Sequence, residues 1–243
     1  MIDEDIHNAA KNGDVSRLTS LMNSMVSLDV RGQDGFTPLH WAAHYGHSDA
    51  MKVLVGAKAD LDVQNAAGWT PIHCAAEKGH SGAAQVLVDA KACVDVQDMN
   101  GRTPMHRAAQ YGHSDTVRVL VDANAGLDVQ NESGWTPIHF AAYNDHIGAM
   151  RVLVDAKVCV DIKDNSGWTP MHRAAYNDHS DAVQVLVDAK ACVDIKDKNG
   201  RTPLHIAAEY DYTGVVHVLV AGCADVTTRE KYSSIDSLTK SVL

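Results

Sequence analysis

The chain has 243 residues, an apolar content of 45% and a formal net charge of −10 at pH 7. The acidic balance argues against a nucleic-acid partner, which needs Lys and Arg at its phosphates, and against an anionic membrane face. No apolar run approaches the roughly 20 residues that span a bilayer. The acidic start, Met-Ile-Asp-Glu-Asp, is unlike a signal peptide.

A Thr-Pro-x-His-x-Ala-Ala motif recurs along the chain every 33 residues and contains all six prolines. Its copies begin at Thr37, Thr70, Thr103, Thr136, Thr169 and Thr202. A fixed period of this size is typical of a repeat array, in which each unit packs only on its neighbours. We therefore predict one elongated domain over residues 1–243.

The period divides the chain into three parts. Residues 1–33 form a degenerate N-terminal capping unit, in which Ile6-His7 aligns with the Leu-His of the motif but the Thr-Pro is missing. Residues 34–229 contain six full units, and residues 230–243 are predicted to form a truncated C-terminal capping unit. A terminal unit needs one polar face, because nothing covers it.

The first half of a unit predicts a short helix. Thr169 can N-cap it, and Pro170 fits the first helical position, where a missing N–H costs nothing. Ala174 and Ala175 lie on its apolar stripe, and their small size lets neighbouring helices approach closely. The helix should end near Asn177-Asp178 or, in earlier units, near Gly46, Gly79 and Gly112, because Gly, Asn and Asp tolerate a left-handed cap.

The second half of a unit predicts a second helix followed by a projecting arm. Ser180-Asp181 opens the helix, and Val183 and Leu186 lie on its buried stripe. The run 192–195 and the following turn at 197–200 read as an extended arm and a tight reverse turn. Each unit is therefore helix, turn, helix and hairpin.

The pattern Asp-x-x-Gly-x-Thr-Pro-Leu-His-x-Ala-Ala, repeated at this period, resembles the ankyrin repeat over residues 2–243. The resemblance implies an all-α repeat solenoid of stacked helix-turn-helix units with projecting β-hairpin loops. It also implies protein–protein interaction in general.

The chain departs from the family pattern at the end of the second helix, where the family has Gly. This place is held by Lys58, Lys91, Asn124, Lys157, Lys190 and Cys223. A residue with a Cβ in a left-handed cap costs on the order of 1 kcal/mol, so we expect these caps to be either strained or shaped differently.

The histidines and cysteines predict no catalytic, cofactor or metal site. Histidines one repeat apart are too distant to share a metal ion, whose ligand nitrogens lie about 2.0–2.1 Å from it. His73 and Cys74 are adjacent on a helix and do not face each other, which argues against a catalytic pair. We interpret the motif histidines as structural.

The five cysteines are interpreted as free thiols of an intracellular, cytoplasmic protein. Cys93, Cys159 and Cys192 hold the same place in different repeats. Stacked repeats should place them roughly 8–10 Å apart, beyond the ~7 Å limit for a disulfide.

The informative positions are those where the repeats differ. The residues before each Thr-Pro are Phe36, Trp69, Arg102, Trp135, Trp168 and Arg201, and we expect them at exposed hairpin tips. Five of the seven tyrosines end the first helices: Tyr45, Tyr111, Tyr143, Tyr176 and Tyr210. The resemblance implies that both sets line a concave face. Trp, Tyr and Arg are enriched at binding hot spots, so we predict these residues as the partner-binding site.

Two features have alternative interpretations. Trp69, Trp135 and Trp168 either bind a partner or pack sideways between neighbouring hairpins and stiffen the array. Arg107 and Arg173, on first helices, either pair with a nearby Asp or Glu or contact an acidic group of a ligand. Trp41 lies within a helix and is expected in the core.

The sequence therefore favours a monomeric, non-enzymatic scaffold that binds a protein segment with apolar anchors and a few carboxylates. The alternative is a structural spacer or consensus-like array with no dedicated ligand. It is favoured by units four and five, residues 133–165 and 166–198, which differ at only eight positions.

Overall fold

The computed structural model describes residues 2–24 and 27–222, and side chains from residue 5 onward. The predicted C-terminal capping unit and Cys223 lie outside this part of the chain. The described residues form fourteen α-helices and a 3-10 turn at Gln33–Gly35. The helices are α1(Ile2–Lys11), α2(Val15–Met22), α3(Pro38–His44), α4(Ser48–Gly56), α5(Pro71–Lys78), α6(Ser81–Asp89), α7(Pro104–Gln110), α8(Ser114–Asp122), α9(Pro137–Tyr143), α10(Ile147–Asp155), α11(Pro170–Tyr176), α12(Ser180–Asp188), α13(Pro203–Glu209) and α14(Thr213–Ala221).

The chain divides into two compact units, Met1–Gly126 and Leu127–Leu243. In the first unit, α3 packs between α1 and α5, α5 packs on α7, and α2, α4, α6 and α8 pack in the same sequential order. In the described part of the second unit, α9, α11 and α13 form one layer, while α10, α12 and α14 form the other. The all-α architecture of stacked helix pairs is confirmed. Whether the units form one array stays a prediction.

Each first helix begins at the Thr-Pro motif, and the histidine of the motif closes the cap. In α3 the Thr37 backbone N–H donates to His40 Nδ1 at 3.1 Å, and the His40 N–H donates weakly to Thr37 Oγ1 at 3.4 Å. Because Nδ1 accepts a hydrogen bond, the ring carries its proton on Nε2. That Nε2–H donates to the Trp69 carbonyl of the next repeat at 2.9 Å. One side chain thus caps its own helix and holds the following loop.

The core of each unit lies between the helices. Ala42 and Ala43 of α3 are fully buried, as are Met51 and Leu54 of α4. The same apolar positions are buried in the following repeats. The small alanines let neighbouring first helices approach closely, and the larger side chains of the second helices fill the space between the two layers.

The projecting loops are compact reverse turns, and no β-strand is assigned in the described residues. In one such loop, the Asn65 N–H donates to the Trp69 carbonyl at 2.8 Å, while Asn65 Oδ1 accepts from the Ala67 and Trp69 N–H groups. The side-chain amide thus replaces the ladder hydrogen bonds that a longer hairpin would need. Gly68 has φ +79°, and a Cβ there would lie 2.8 Å from the Met99 backbone nitrogen.

Successive loops are linked to one another within each unit. The Ala66 N–H donates to the Asp34 carbonyl at 2.9 Å, and the Met99 N–H donates to the Ala67 carbonyl at 3.1 Å. In the second unit, the Asn165 N–H donates to the Ser133 carbonyl in the same way. These neighbouring loops are therefore joined by backbone hydrogen bonds as well as by the motif histidines.

The caps of the second helices have the left-handed conformation, so of the two expectations the strained cap is the one found. Lys58, Lys91, Asn124, Lys157 and Lys190 all have φ between 59° and 69°. The first helices end as expected too, with positive φ at glycines in the earlier repeats and at aspartates in the later ones. No helix in the described ranges is long and apolar enough to cross a bilayer.

We predict that the protein loses stability between pH 7 and pH 5. Burial lowers the pKa of four motif histidines, His40, His73, His139 and His172, to about 4. An unfolded histidine titrates near a pKa of 6.5. Below that pH the unfolded chain binds more protons than the native chain, so stability falls as the pH drops towards 4. Each histidine should remove about 1 to 2 kcal/mol from the free energy of unfolding.

Urea unfolding at the two pH values measures this loss. In His172→Gln the amide can still accept from the Thr169 N–H and donate to the Arg201 carbonyl, the two partners of the histidine ring. Between pH 7 and pH 5, His172→Gln should lose less free energy of unfolding than the native protein. The difference should be about 1 to 2 kcal/mol, the contribution of one histidine. His217→Gln, at an exposed position of α14, is the matched control. An undiminished pH dependence in His172→Gln would contradict the argument.

We also predict that Lys91→Gly stabilises the protein by about 0.5 to 1 kcal/mol, because glycine removes the steric cost of the left-handed cap. Lys91 is exposed and has φ 69°, so no buried contact is lost. Ala90→Gly, one residue earlier at φ −79°, is the control and should destabilise the protein. Denaturant midpoints of the two variants should therefore move in opposite directions.

Candidate binding face

The predicted partner-binding residues lie on the side of each unit where loops meet first helices. We call these surfaces the first face, in residues 1–126, and the second face, in residues 127–222. The first face contains Phe36, Tyr45, Trp69, Arg102 and Tyr111. The second face contains Trp135, Tyr143, Trp168, Tyr176, Arg201 and Tyr210.

The second face is built around one arginine between two indoles. The guanidinium carbon of Arg173 lies 4.3 Å from the Trp135 ring centroid and 4.5 Å from that of Trp168. Arg173 also forms an ion pair with Asp164, whose side chain is fully buried. Cation–π attraction and the charge-assisted bond together fix the guanidinium plane. The tryptophans are thus held by their neighbours on the face.

A second carboxylate extends this network towards Arg201. Trp168 Nε1–H donates to Asp197 Oδ2 at 3.1 Å, and the Arg201 guanidinium donates to the same oxygen. Burial alone would raise the pKa of Asp197, but the backbone N–H and guanidinium of Arg201 hold it below its usual value. Asp197 is therefore a permanent anion that links one loop to the indole of the previous one.

The first face has one copy of the same arrangement. The Arg107 guanidinium lies 4.5 Å from the Trp69 ring centroid and donates to Asp98 Oδ2 at 2.5 Å. Burial would raise the pKa of Asp98, but the Arg102 backbone N–H and the Arg107 guanidinium lower it below its usual value. Of the two interpretations of Arg107 and Arg173, internal pairing is confirmed.

The N-terminal end of the first face carries an aromatic cluster that includes Trp41. The expectation that Trp41 belongs to the core is wrong, because it is only half-buried. Its ring lies 4.6 Å from that of Phe36 and stacks 6.1 Å from Tyr45, and the Lys11 ammonium lies 5.4 Å above it. Ala42 and Ala43 occupy the core side of this turn of α3. The preceding residue, Trp41, therefore lies on the side of the helix that belongs to the face.

The residues before each Thr-Pro do not lie at exposed loop tips, so that expectation was wrong. All six are half-buried, and in the loop of residues 65–69 the Trp69 carbonyl closes the base of the turn. The exposed tip positions belong to the two residues after the Asn or Asp, such as Ala66 and Ala67. The cause is the hydrogen bond to the motif histidine, which draws this residue back towards the first helices.

The five tyrosines are the exposed part of the faces. Each leaves 38–45% of its surface accessible. In the second face the Tyr143 ring lies 5.3 Å from Trp135, the Tyr176 ring 5.3 Å from Trp168, and Tyr210 packs edge-on against Tyr176. The exposed tyrosine rings therefore pack against half-buried Trp and Arg side chains.

The histidine and cysteine side chains of the described residues fall into a buried set and an exposed set. Burial raises the pKa of the Cys74 thiol, so the thiol stays protonated, and the His73 ring is engaged by the Thr70 N–H and the Arg102 carbonyl. Cys93, Cys159 and Cys192 are exposed free thiols. Within the described ranges, no group of three or more His, Cys, Asp and Glu side chains could hold a metal ion.

The aspartates that pair with Arg107 and Arg173 were not named from the sequence, although a signal for them exists. Loops that open with Asp98 or Asp164 are followed nine residues later by Arg107 or Arg173. Loops that open with an amide are followed at the same distance by an apolar residue, as with Asn131 and Phe140. The carboxylate thus appears where the following helix carries the guanidinium, apart from Asp197, which pairs with Arg201.

A family model described as ankyrin repeats in three copies matches overlapping stretches of the chain. The matched residues are 6–98, 40–131, 92–164, 123–197 and 157–230. The chain belongs to the ankyrin repeat family.

Solved structures of ankyrin repeats have the same fold. The crystal structure of the human ASB11 ankyrin repeat domain matches with a TM-score of 0.79 at 24% sequence identity. The match covers 90% of this chain and 98% of that one. At this identity the likeness shows the fold alone. No curated protein matches this ankyrin repeat chain in sequence.

We predict that the Asp–Arg pair is a coupled unit that can be exchanged for the Asn–Phe pair of the preceding repeat. Arg173→Phe alone leaves the buried Asp164 carboxylate without its cation and should cost about 2 to 4 kcal/mol. Adding Asp164→Asn recreates the Asn131–Phe140 combination and should recover at least half of that loss. Urea unfolding measures both variants. Equal losses in the single and double variants would refute the coupling.

Proposed function

We propose that this ankyrin repeat protein is a non-enzymatic scaffold that binds a protein segment on the concave side expected of the family, through the first and second faces. The observation that carries the proposal is the set of five exposed tyrosines beside half-buried Trp and Arg side chains. Tyr, Trp and Arg are the residues most enriched at binding hot spots. We further propose that the protein acts as a monomer inside the cell, in the cytoplasm, without nucleic acid or membrane as partner.

The packing of the faces supports binding because it reduces its entropic cost. Arg173 is held by Asp164 and by two indoles, and Trp168 is held by Asp197. Side chains that are already ordered lose less freedom when a partner arrives, which leaves more of the contact energy as affinity. The exposed tyrosines need to order only two torsions each.

The charges of the faces support a partner with apolar anchors and a few acidic groups. Arg201 is half-buried, and its contacts to Asp197 and Glu209 leave the guanidinium at the surface. Arg102 lies at the equivalent position of the first face, and its guanidinium donates to Gln110. A carboxylate from a partner could approach either guanidinium, and aromatic rings around it would accept apolar side chains.

A structural spacer is the alternative function, and one observation favours it. The Trp–Arg contacts join neighbouring loops within a unit, as stiffening requires, and they use much of the indole surface that a partner would otherwise contact. In that case the tryptophans stabilise the fold and the tyrosines have no dedicated ligand. The two functions differ in what the exposed tyrosines do.

We predict that the tyrosines affect binding and the tryptophans affect both binding and stability. The partner is first isolated by affinity purification, identified and purified, and its dissociation constant is then measured by calorimetry. Tyr143→Ser combined with Tyr176→Ser should weaken binding at least tenfold, with a melting temperature within about 2 °C of the native protein. Trp168→Ala should weaken binding and also lower the melting temperature, because Asp197 and Arg173 lose a partner.

Arg151→Ser, at an exposed position of α10, is the matched control and should leave both values unchanged. Unchanged affinity in the tyrosine double variant, together with a lowered melting temperature in Trp168→Ala, would favour the spacer over the scaffold.

A further inference from the structure

A basic pocket lies at the N-terminal end of the first face. Its volume is about 360 Å³, and α1, α3 and the segment between α2 and α3 line it. The lining side chains include Lys11, Arg31, Gln33 and Trp41. The Lys11 ammonium lies 5.4 Å from the Trp41 ring centroid, so the pocket combines an aromatic wall with a cation.

The two cations of this pocket are available to a ligand. Lys11 and Arg31 are exposed, and neither forms an ion pair within the described part of the chain. Arg31 Nη1 donates to the Gln64 carbonyl at 2.8 Å, which positions the guanidinium without neutralising it. Two cations that line one pocket without an ion-pair partner among the described residues are notable on a chain whose net charge is −10. The pocket is therefore suited to an anion.

An apolar groove lies next to the basic pocket, on the other side of the 3-10 turn at Gln33–Gly35. Its volume is about 550 Å³, and Phe36, Trp69, Ala66, Ala67 and Met99 supply most of its lining. Met99 is 69% exposed, the largest exposure among the described large apolar side chains. The position of Met99 is occupied by Glu132, Asn165 and Lys198 in later repeats. An exposed apolar loop tip beside an indole is thus specific to this part of the chain.

The two cavities are close enough for one short peptide. Gln33 lines the pocket and Asp34 lines the groove, and both belong to the same three-residue turn. Three residues span at most about 8 Å, because consecutive Cα atoms are about 3.8 Å apart. An extended peptide advances about 3.3 Å per residue and crosses the turn within a few residues.

We propose that the first face recognises a protein segment that carries an acidic side chain and, two to four residues away, a large apolar side chain. Lys11 and Arg31 bind the carboxylate, and the groove between Phe36, Trp69 and Met99 takes up the apolar side chain. This inference rests on the proposed scaffold function and specifies the partner of one face. A carboxylate suits the site, because the remaining N–H groups of the Arg31 fork match its two oxygens.

Nuclear magnetic resonance titration of the whole chain tests the proposal with a defined probe, the capped tetrapeptide acetyl-Asp-Gly-Gly-Leu-amide. The indole N–H signals of Trp41 and Trp69 are the reporters, because one belongs to the pocket and the other to the groove. We expect both signals to shift with one saturable, millimolar dissociation constant. Replacing Asp by Asn in the probe should weaken binding at least fivefold, and replacing Leu by Ser should do the same.

Variants of the chain assign each preference to its cavity. Lys11→Gln combined with Arg31→Gln should abolish the preference for Asp over Asn, and Arg31→Lys alone should keep most of it. Met99→Asn, the residue found at position 165, should abolish the preference for Leu over Ser. Arg118→Gln combined with Arg151→Gln, at exposed positions of α8 and α10, removes the same two charges and controls for the change in net charge. Circular dichroism melting verifies that every variant is folded.

Three results would overturn the proposal. They are unshifted indole signals, an Asp preference that survives in the Lys11→Gln, Arg31→Gln variant, or inorganic phosphate that binds the pocket more tightly than the probe. These results leave the scaffold function standing if the tyrosine variants still lose their partner, so the two failures can be told apart.

Discussion

The hydrogen bonds of the motif histidine are the interaction on which the rest of the structure depends. Nδ1 of His40 accepts from its own helix cap, and Nε2 donates to the Trp69 carbonyl of the next repeat. Both bonds require the neutral ring with its proton on Nε2, and burial keeps the ring neutral by lowering its pKa to about 4. The stacking of repeats is thus coupled to one protonation state, repeated along the chain.

This interaction also explains why the faces can vary while the fold stays the same. Four motif histidines share one kind of acceptor, the backbone carbonyl of the residue before the next Thr-Pro. That residue is a tryptophan in some repeats and an arginine in others. A carbonyl is common to every amino acid, so the bond places no demand on the side chain. Side chains at these positions are therefore free to differ, and they carry the proposed specificity.

The Asp–Arg–Trp networks show how packing and recognition share the same residues. In the second face Arg173 touches two indoles and a buried carboxylate, so any change at this residue alters stability. The tyrosines beside it are exposed and have fewer contacts. Ordered platforms with exposed aromatic edges lower the entropic cost of binding. The basic pocket and the apolar groove of the first face add one cationic site and one apolar site to such a surface.

The sequence by itself determined the period and the starts of the first helices in the full repeats, because these follow from local chemistry such as Thr-Pro capping. Only the tertiary structure decided how the face side chains are arranged. Arg173 meets Trp135 across 38 positions of sequence, and Trp41 turned out to lie on the face. Such contacts depend on the distance and rotation between neighbouring repeats, which packing sets and which no short window of residues contains.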